Sequence, residues 1–118
     1  MALHHDTQIY AAVVELGKFV LLAVRQMPRD VKLLLGGTLR DEVLWMGVLV
    51  LRMNIARDAA KLPHIAELLE HLEIAQQALR YCRDLRLMAP ATFAQSLPLT
   101  TSIGKQATAL RNHFAPAA

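Results

Sequence analysis

Hydrophobic residues recur at intervals of three and four along most of this chain, which is the period of an amphipathic α-helix. In the first segment Ile9, Val13, Leu16, Val20 and either Val24 or Met27 keep this spacing. The pattern predicts four helices, over residues of about 6–26, 30–57, 63–87 and 90–114. No alternating strand pattern, internal repeat or long linker separates them. We therefore predict a single all-α domain spanning residues 1–118, an antiparallel up-and-down four-helix bundle with short connections.

Prolines and glycines set the helix limits. Pro28 should end the first helix, because the residue before a proline is driven out of the helical conformation. Asp30 is then predicted to cap the second helix. Gly36 and Gly37 weaken that helix by about 1 kcal/mol each relative to alanine, and they mark either a bend or a close contact between helices. Pro63 suits the first turn of the third helix.

The pattern of apolar residues predicts the third helix more clearly than the fourth. The third carries a seam of bundle packing at Ile65, Leu68, Leu72, Ala75, Leu79 and Cys82. The fourth keeps an inward period from Phe93 to Phe114, but Pro98 removes one hydrogen bond from it and clashes with the carbonyl of Ala94. We predict one kinked helix here rather than two helices.

The second helix carries more apolar residues than a single bundle can cover. Nine uncharged residues, 43–51, are too few for a membrane span of about 20, and as a helix they are apolar on every side. Sixteen of the 26 residues in 31–56 are apolar, against about three in seven for a helix facing one core. We predict a homo-oligomer, with a lipid-facing helix as the alternative. The predicted interface or core residues are Val43, Leu44, Trp45, Met46, Val48, Leu49, Val50 and Leu51.

The cellular compartment is predicted from two features. The single cysteine, Cys82, rules out an intramolecular disulfide, which suits a reducing compartment. Residues 1–6 lack the charged, apolar and cleavage regions of a secretory signal. We therefore expect a cytoplasmic protein that does not bind membranes, with Cys82 acting as a small buried hydrophobe.

Enzyme signatures are missing from the sequence. Four-helix bundles that hold di-iron centres use Glu-x-x-His pairs, and no glutamate here is followed by histidine at that spacing. His64, Glu67 and His71 come nearest to a metal site, but we interpret them as solvated residues of a helix surface. No Cys-x-x-Cys pair, phosphate-binding loop or Gly-x-Ser-x-Gly turn is present. We predict no catalytic residues, no cofactor and no metal.

Four stretches of the sequence resemble one family of four-helix bundles. They are Met27-Pro28-Arg29, Asn54–Asp58, Leu79–Met88 and Ile103-Gly104. The family contains the accessory variability determinant (Avd) proteins of diversity-generating retroelements and the proteins encoded in intervening sequences of ribosomal-RNA genes. The resemblance implies a cytoplasmic antiparallel bundle that assembles as a ring of five. Avd-like members are non-enzymatic accessories that bind a reverse transcriptase and nucleic acid, whereas the intervening-sequence relatives have no settled function.

The charge distribution bears on such a partner. The chain has 13 basic and 10 acidic residues, and residues 80–118 hold five of the basic residues against one acid. Five copies would bring about fifteen net positive charges into one particle, enough to attract polyanions. The candidate partner-binding residues are Arg80, Arg83, Arg86, Lys105 and Arg111. The alternative is an ordinary solvated surface. Arg80 would then pair with Asp84 one turn further on, while Arg83 and Arg86 would interact favourably with the negative end of the helix dipole.

Three functions remain open from the sequence. The first is an oligomeric adaptor that binds RNA or a nucleic-acid enzyme such as a reverse transcriptase. The second is an oligomeric bundle with a purely protein-interaction role. The third is an enzyme whose small-molecule or metal site leaves no recognisable motif.

Overall fold

The computed structural model describes residues 3–116, with side chains from Gln8 onward, and all of its regular structure is helical. This confirms the prediction of an all-α fold. The long helices are α1 (Leu3–Arg25), α2 (residues 29–55), α3 (Leu62–Asp84) and α4 (Pro90–Phe114). Three consecutive stretches make up α2: Arg29–Val31, the π-helical Lys32–Gly36, and Gly37–Ile55. A 3-10 turn, Asp58–Lys61, leads into α3.

The four helices pack compactly, each against two neighbours, in the cyclic order α1, α2, α3, α4. The bundle measures 47 × 21 × 21 Å, and its connections are too short to return along that length. Consecutive helices therefore run in opposite directions. As a result, the α1–α2 and α3–α4 connections share one end of the bundle, while the α2–α3 connection lies at the other end.

The core contains the apolar positions that the helical period selects. On α1, Ile9, Leu16 and Val20 have no exposed surface, and Val13 is buried beside them. On α3, the predicted seam from Ile65 to Cys82 is buried at each of its six positions. Burial of these side chains supplies the main driving force for packing the four helices together.

Asp30 does not cap α2, so this prediction was wrong. The helix begins at Arg29, and the residue before it is Pro28, whose ψ of 148° is extended. Pro28 offers no side-chain hydrogen bond to the helix. Asp30 falls in the first turn instead, where its negative charge favours the positive end of the helix dipole.

Gly36 marks a close contact between two helices. It is buried at the end of the π-helical stretch, and a Cβ atom built there would lie 2.8 Å from Cγ1 of Val24 on α1. No side chain fits at that separation, so glycine is required for α1 and α2 to approach this closely. Of the two sequence alternatives, bend or close contact, the contact with α1 is therefore present at Gly36.

Pro98 lies inside α4, and the helix continues through it to Phe114, so this segment forms one helix rather than two. Two buried hydroxyls flank the proline and donate to helix carbonyls. Ser96 Oγ donates to the Phe93 carbonyl at 2.6 Å, and Thr100 Oγ1 donates to the Ser96 carbonyl at 3.2 Å. These bonds satisfy polar side chains that would otherwise be costly to bury.

Candidate interaction surfaces

The apolar run of α2 is divided between the core and the surface. Four of its side chains are buried: Val43, Met46, Leu49 and Val50. The other four stay exposed within one subunit: Leu44 at 57%, Trp45 at 44%, Val48 at 39% and Leu51 at 51%. The α1 and α3 neighbours cover only one side of this helix, so half of the run faces outward.

The exposed residues of α2 form a regular stripe. Leu44, Val48, Leu51 and Ile55 follow one another at spacings of four, three and four, and Ile55 is 82% exposed. We call these four residues the α2 stripe. This spacing is the seam that pairs one helix with another in bundles and coiled coils.

A groove of about 270 Å³ separates the α2 stripe from α1, and we call it the α1–α2 groove. Its lining is apolar apart from one lysine: Tyr10, Val13, Val14, Gly17, Lys18, Leu21, Val43, Leu44 and Gly47. A Cβ built at Gly17 or Gly47 would meet no other described atom within 4 Å. The two glycines therefore leave the groove open.

The other side of α2 carries a second apolar surface, which we call the α2–α3 face. Ile74 and Tyr81 of α3 are 40% and 53% exposed there. They border a shallow cleft of about 230 Å³ together with Leu35, Thr38, Gln77 and Ala78. The two surfaces lie on adjacent sides of the bundle and share α2 as their common corner.

His71 is not the solvated surface residue that the sequence predicted. Its Nδ1 contacts Glu42 Oε2 on α2, and the side chains of His71 and Glu42 are 25% and 14% exposed. The His71 ring also stacks on Trp45, with ring centroids 6.1 Å apart, and Arg52 lies 5.5 Å from the Trp45 ring. These contacts fix Trp45 against α3 at the edge of the α2–α3 face.

His64 also departs from the prediction of a solvated residue. Its Nδ1 is buried and has no hydrogen-bond partner among the described residues. His64, Glu67 and His71 do not come together, and the described part of the chain holds no group of three or more metal-ligating side chains.

Cys82 is buried in the core. Removal from water raises the pKa of its thiol, because burial disfavours the charged thiolate. The protonated thiol packs as a small apolar group, in agreement with the sequence interpretation.

Three predicted partner-binding arginines lie near one end of the bundle, and all are exposed. Arg80 donates to Gln77 Oε1 at 2.9 Å. Arg83, rather than Arg80, pairs with Asp84 at 2.9 Å, and its guanidinium lies 4.7 Å from the Phe93 ring. Arg86 stands in the α3–α4 connection with a φ of 60°.

Lys105 and Arg111 are exposed but lie elsewhere. At a rise of about 1.5 Å per residue they stand about 22 Å and about 31 Å along α4 from Pro90. The five predicted residues therefore do not form one surface within a subunit.

Three further basic residues, which were not predicted from the sequence, lie at the same end of the bundle as Arg80, Arg83 and Arg86. Arg25, Arg29 and Lys32 are exposed around the α1–α2 connection, which shares its end of the bundle with the α3–α4 connection. We call residues 25–32 with residues 80–86 the basic end. It holds six basic and two acidic residues, whereas the rest of the chain holds seven basic and eight acidic. The sequence did contain the information needed to predict this grouping. Short connections imply antiparallel neighbours, and these place residues 25–32 and residues 80–86 at the same end of the bundle.

Comparison with protein-family models, curated proteins and solved structures finds no match for this chain. Within residues 3–116, no helix is both long enough and apolar enough to cross a membrane.

Proposed function

We propose that this protein is a non-enzymatic, homo-oligomeric accessory that binds RNA, or a nucleic-acid enzyme such as a reverse transcriptase, through its basic end. The exposed apolar side of α2 is the main observation that supports a homo-oligomer. The family resemblance in the four stretches of sequence favours a ring of five and a cytoplasmic location.

The free-energy cost of leaving the α2 stripe in water supports the proposed assembly. Each square ångström of apolar surface removed from water stabilises a complex by about 25 cal/mol. Leu44, Leu51 and Ile55 are each more than half exposed in one subunit, and the α1–α2 groove adjoins them. Obligate interfaces between subunits are apolar in this way and resemble a core divided in two.

The charge of the basic end supports an anionic partner. Arg25, Arg29 and Arg86 make no ion pair with another described residue, and Arg83 pairs only with the exposed Asp84. Arginine side chains at such a surface bind phosphate oxygens, and a ring multiplies their number. Binding of this kind is electrostatic and poorly specific for sequence.

A purely protein-interaction role is the second candidate. The α2–α3 face, with Tyr81 and Trp45 at its border, supplies the aromatic residues that often anchor protein partners. The two candidates differ in what happens when phosphate-bearing polymers are added.

The oligomer is tested by mass. Size exclusion coupled to light scattering should report about five times the subunit mass of 13.1 kDa. A monomer at micromolar concentration would contradict the proposed assembly, while a dimer or tetramer would contradict only the ring of five.

RNA binding is tested by fluorescence anisotropy with a structured RNA at several salt concentrations. Replacing Arg80, Arg83 and Arg86 together by glutamine should weaken binding about tenfold or more. The same change should flatten the dependence of log affinity on log salt by about 2, at about 0.7 for each lost phosphate contact.

The matched control replaces Arg57, Lys105 and Arg111 by glutamine, which removes the same charge away from the basic end. We expect it to retain most of the affinity, with both variants keeping the wild-type mass. Equal losses in the two variants would show that net charge, and not the basic end, drives binding. No binding by the wild type at about 100 µM in low salt would favour the protein-interaction role.

A further inference from the structure

Two glycines have no explanation within one subunit. Gly17 and Gly47 stand in the interior of α1 and α2, where glycine weakens a helix relative to alanine. Gly36 is needed against Val24, but a Cβ at Gly17 or Gly47 would meet no described neighbour within 4 Å. Both glycines line the α1–α2 groove. Glycine at such positions permits a close approach from outside the subunit.

We propose that the α1–α2 groove receives the α2–α3 face of a second copy of this chain, in a head-to-tail contact that closes into a ring. This inference rests on the proposed homo-oligomer and specifies which surfaces of the subunit meet.

The shape of the groove fits a helix. Along α1, the groove positions Tyr10, Val14, Gly17 and Leu21 repeat at spacings of four, three and four. On the α2–α3 face, Ile74 and Tyr81 project from α3 one heptad apart. A ridge with this spacing packs into a groove between two helices.

Charge is complementary between the two surfaces. Glu67 and Glu70 precede Ile74 on the same side of α3 by seven and four residues, and both are exposed. Lys18 lines the groove, where its side chain is 66% exposed and its salt-bridge partner, Glu15, is 61% exposed. Seating α3 in the groove therefore brings two carboxylates towards Lys18, the one charged residue of the groove lining, although Glu15 already pairs with it at the surface.

The arrangement of the two surfaces favours a ring. The bundle is 21 Å wide in both directions across its axis, so adjacent sides face outward at about 90° to each other. A head-to-tail contact between such sides closes with four copies at about 90° and with five at about 108°. In either ring α2, the corner shared by both sides, points to the central axis. The α2 stripes of all copies then cover one another there.

The experiment uses two kinds of variant in the full chain. The groove-blocked variant carries Gly17→Gln and Gly47→Gln, and the ridge-blocked variant carries Ile74→Glu and Tyr81→Glu. We expect each to fall from the wild-type mass to the monomer mass of 13.1 kDa while keeping its helical circular dichroism. The control carries Ala94→Gln and Ala109→Gln, two exposed positions on α4, and should keep the wild-type mass.

Mixing the two blocked variants gives the decisive result. A groove-blocked copy still has an intact ridge, and a ridge-blocked copy still has an intact groove. The mixture should therefore form one-to-one pairs of twice the subunit mass at about 100 µM, although neither variant pairs alone. A mixture that stays monomeric overturns the head-to-tail contact, as does a groove-blocked variant with wild-type mass or a wild type that is a dimer.

A milder variant tests the same contact with a smaller risk that the subunit misfolds. Gly17→Ala with Gly47→Ala adds only two methyl groups in open space, so its helicity should not fall. Its dissociation constant for assembly should rise at least tenfold, and an unchanged constant overturns the proposal. A monomeric wild type would overturn the proposed oligomer itself, whereas an oligomer that tolerates a blocked groove overturns only this contact.

Discussion

Replacing Leu49 by alanine should lower the free energy of unfolding by about 2–5 kcal/mol, whereas the same replacement at Leu51 should cost far less within a subunit. Leu49 has no exposed surface, so its loss removes packing contacts and leaves a cavity. Leu51 lies only two residues further along α2 but is 51% exposed. Its loss should weaken assembly instead, because it belongs to the α2 stripe.

Urea unfolding followed by circular dichroism measures the first effect, and light scattering over a dilution series measures the second. The two variants delete the same atoms from the same helix, so each serves as the control for the other. Equal losses in unfolding free energy, with unchanged assembly for both, would contradict the division of α2 between the core and the proposed interface. Trp45, the sole tryptophan and 44% exposed, offers a fluorescence signal for assembly.

Replacing Lys61 by methionine should destabilise the fold by about 1–3 kcal/mol. Lys61 is only 8% exposed, and its Nζ donates to the Met53 carbonyl at 2.7 Å, near the end of α2. The ammonium also lies 5.6 Å from the Phe114 ring, at the end of α4. Methionine keeps most of the apolar stem but leaves that carbonyl without its charged donor.

The matched control is Lys105→Met, since Lys105 is exposed on α4, outside the proposed subunit contact. A substitution at such a surface position should change the free energy of unfolding by less than about 0.5 kcal/mol. Thermal and urea unfolding of both variants would measure the difference. A Lys61 variant as stable as the control would show that the buried amine is dispensable at this helix end.

Most of the fold could be predicted from the sequence because α1 and α3 each repeat apolar residues at one helical period along their whole length, although some apolar residues, such as Leu21 and Ile74, lie outside that period and stay exposed. The period then identifies the buried residues directly, as it does for Leu16 and Leu68. Within residues 43–51 of α2 the pattern does not show which side of the helix is buried, because no residue of that stretch is charged or strongly polar. Only packing against α1 and α3 decides that Leu49 is buried and Leu51 is not.

The candidate surfaces were harder to predict because they depend on which helices become neighbours. Glu42 and His71 lie on different helices, and nothing local in the sequence joins them. The basic end likewise needs the bundle topology to bring Arg25 and Arg29 near Arg86. Asp30 was misplaced for a different reason: the extended backbone of Pro28 lets the helix begin at Arg29, two residues earlier than a cap at Asp30 implies.

The π-helical stretch Lys32–Gly36 gives α2 an extra residue within one turn. Each residue turns an α-helix by about 100°, so the first turn of α2 is rotated by about that angle relative to an uninterrupted helix. The orientation of Arg29 and Lys32 is thereby uncoupled from the phase of the α2 stripe. Adding or removing one residue in this stretch would therefore turn these charges to another side of the helix while the α2 stripe keeps its register.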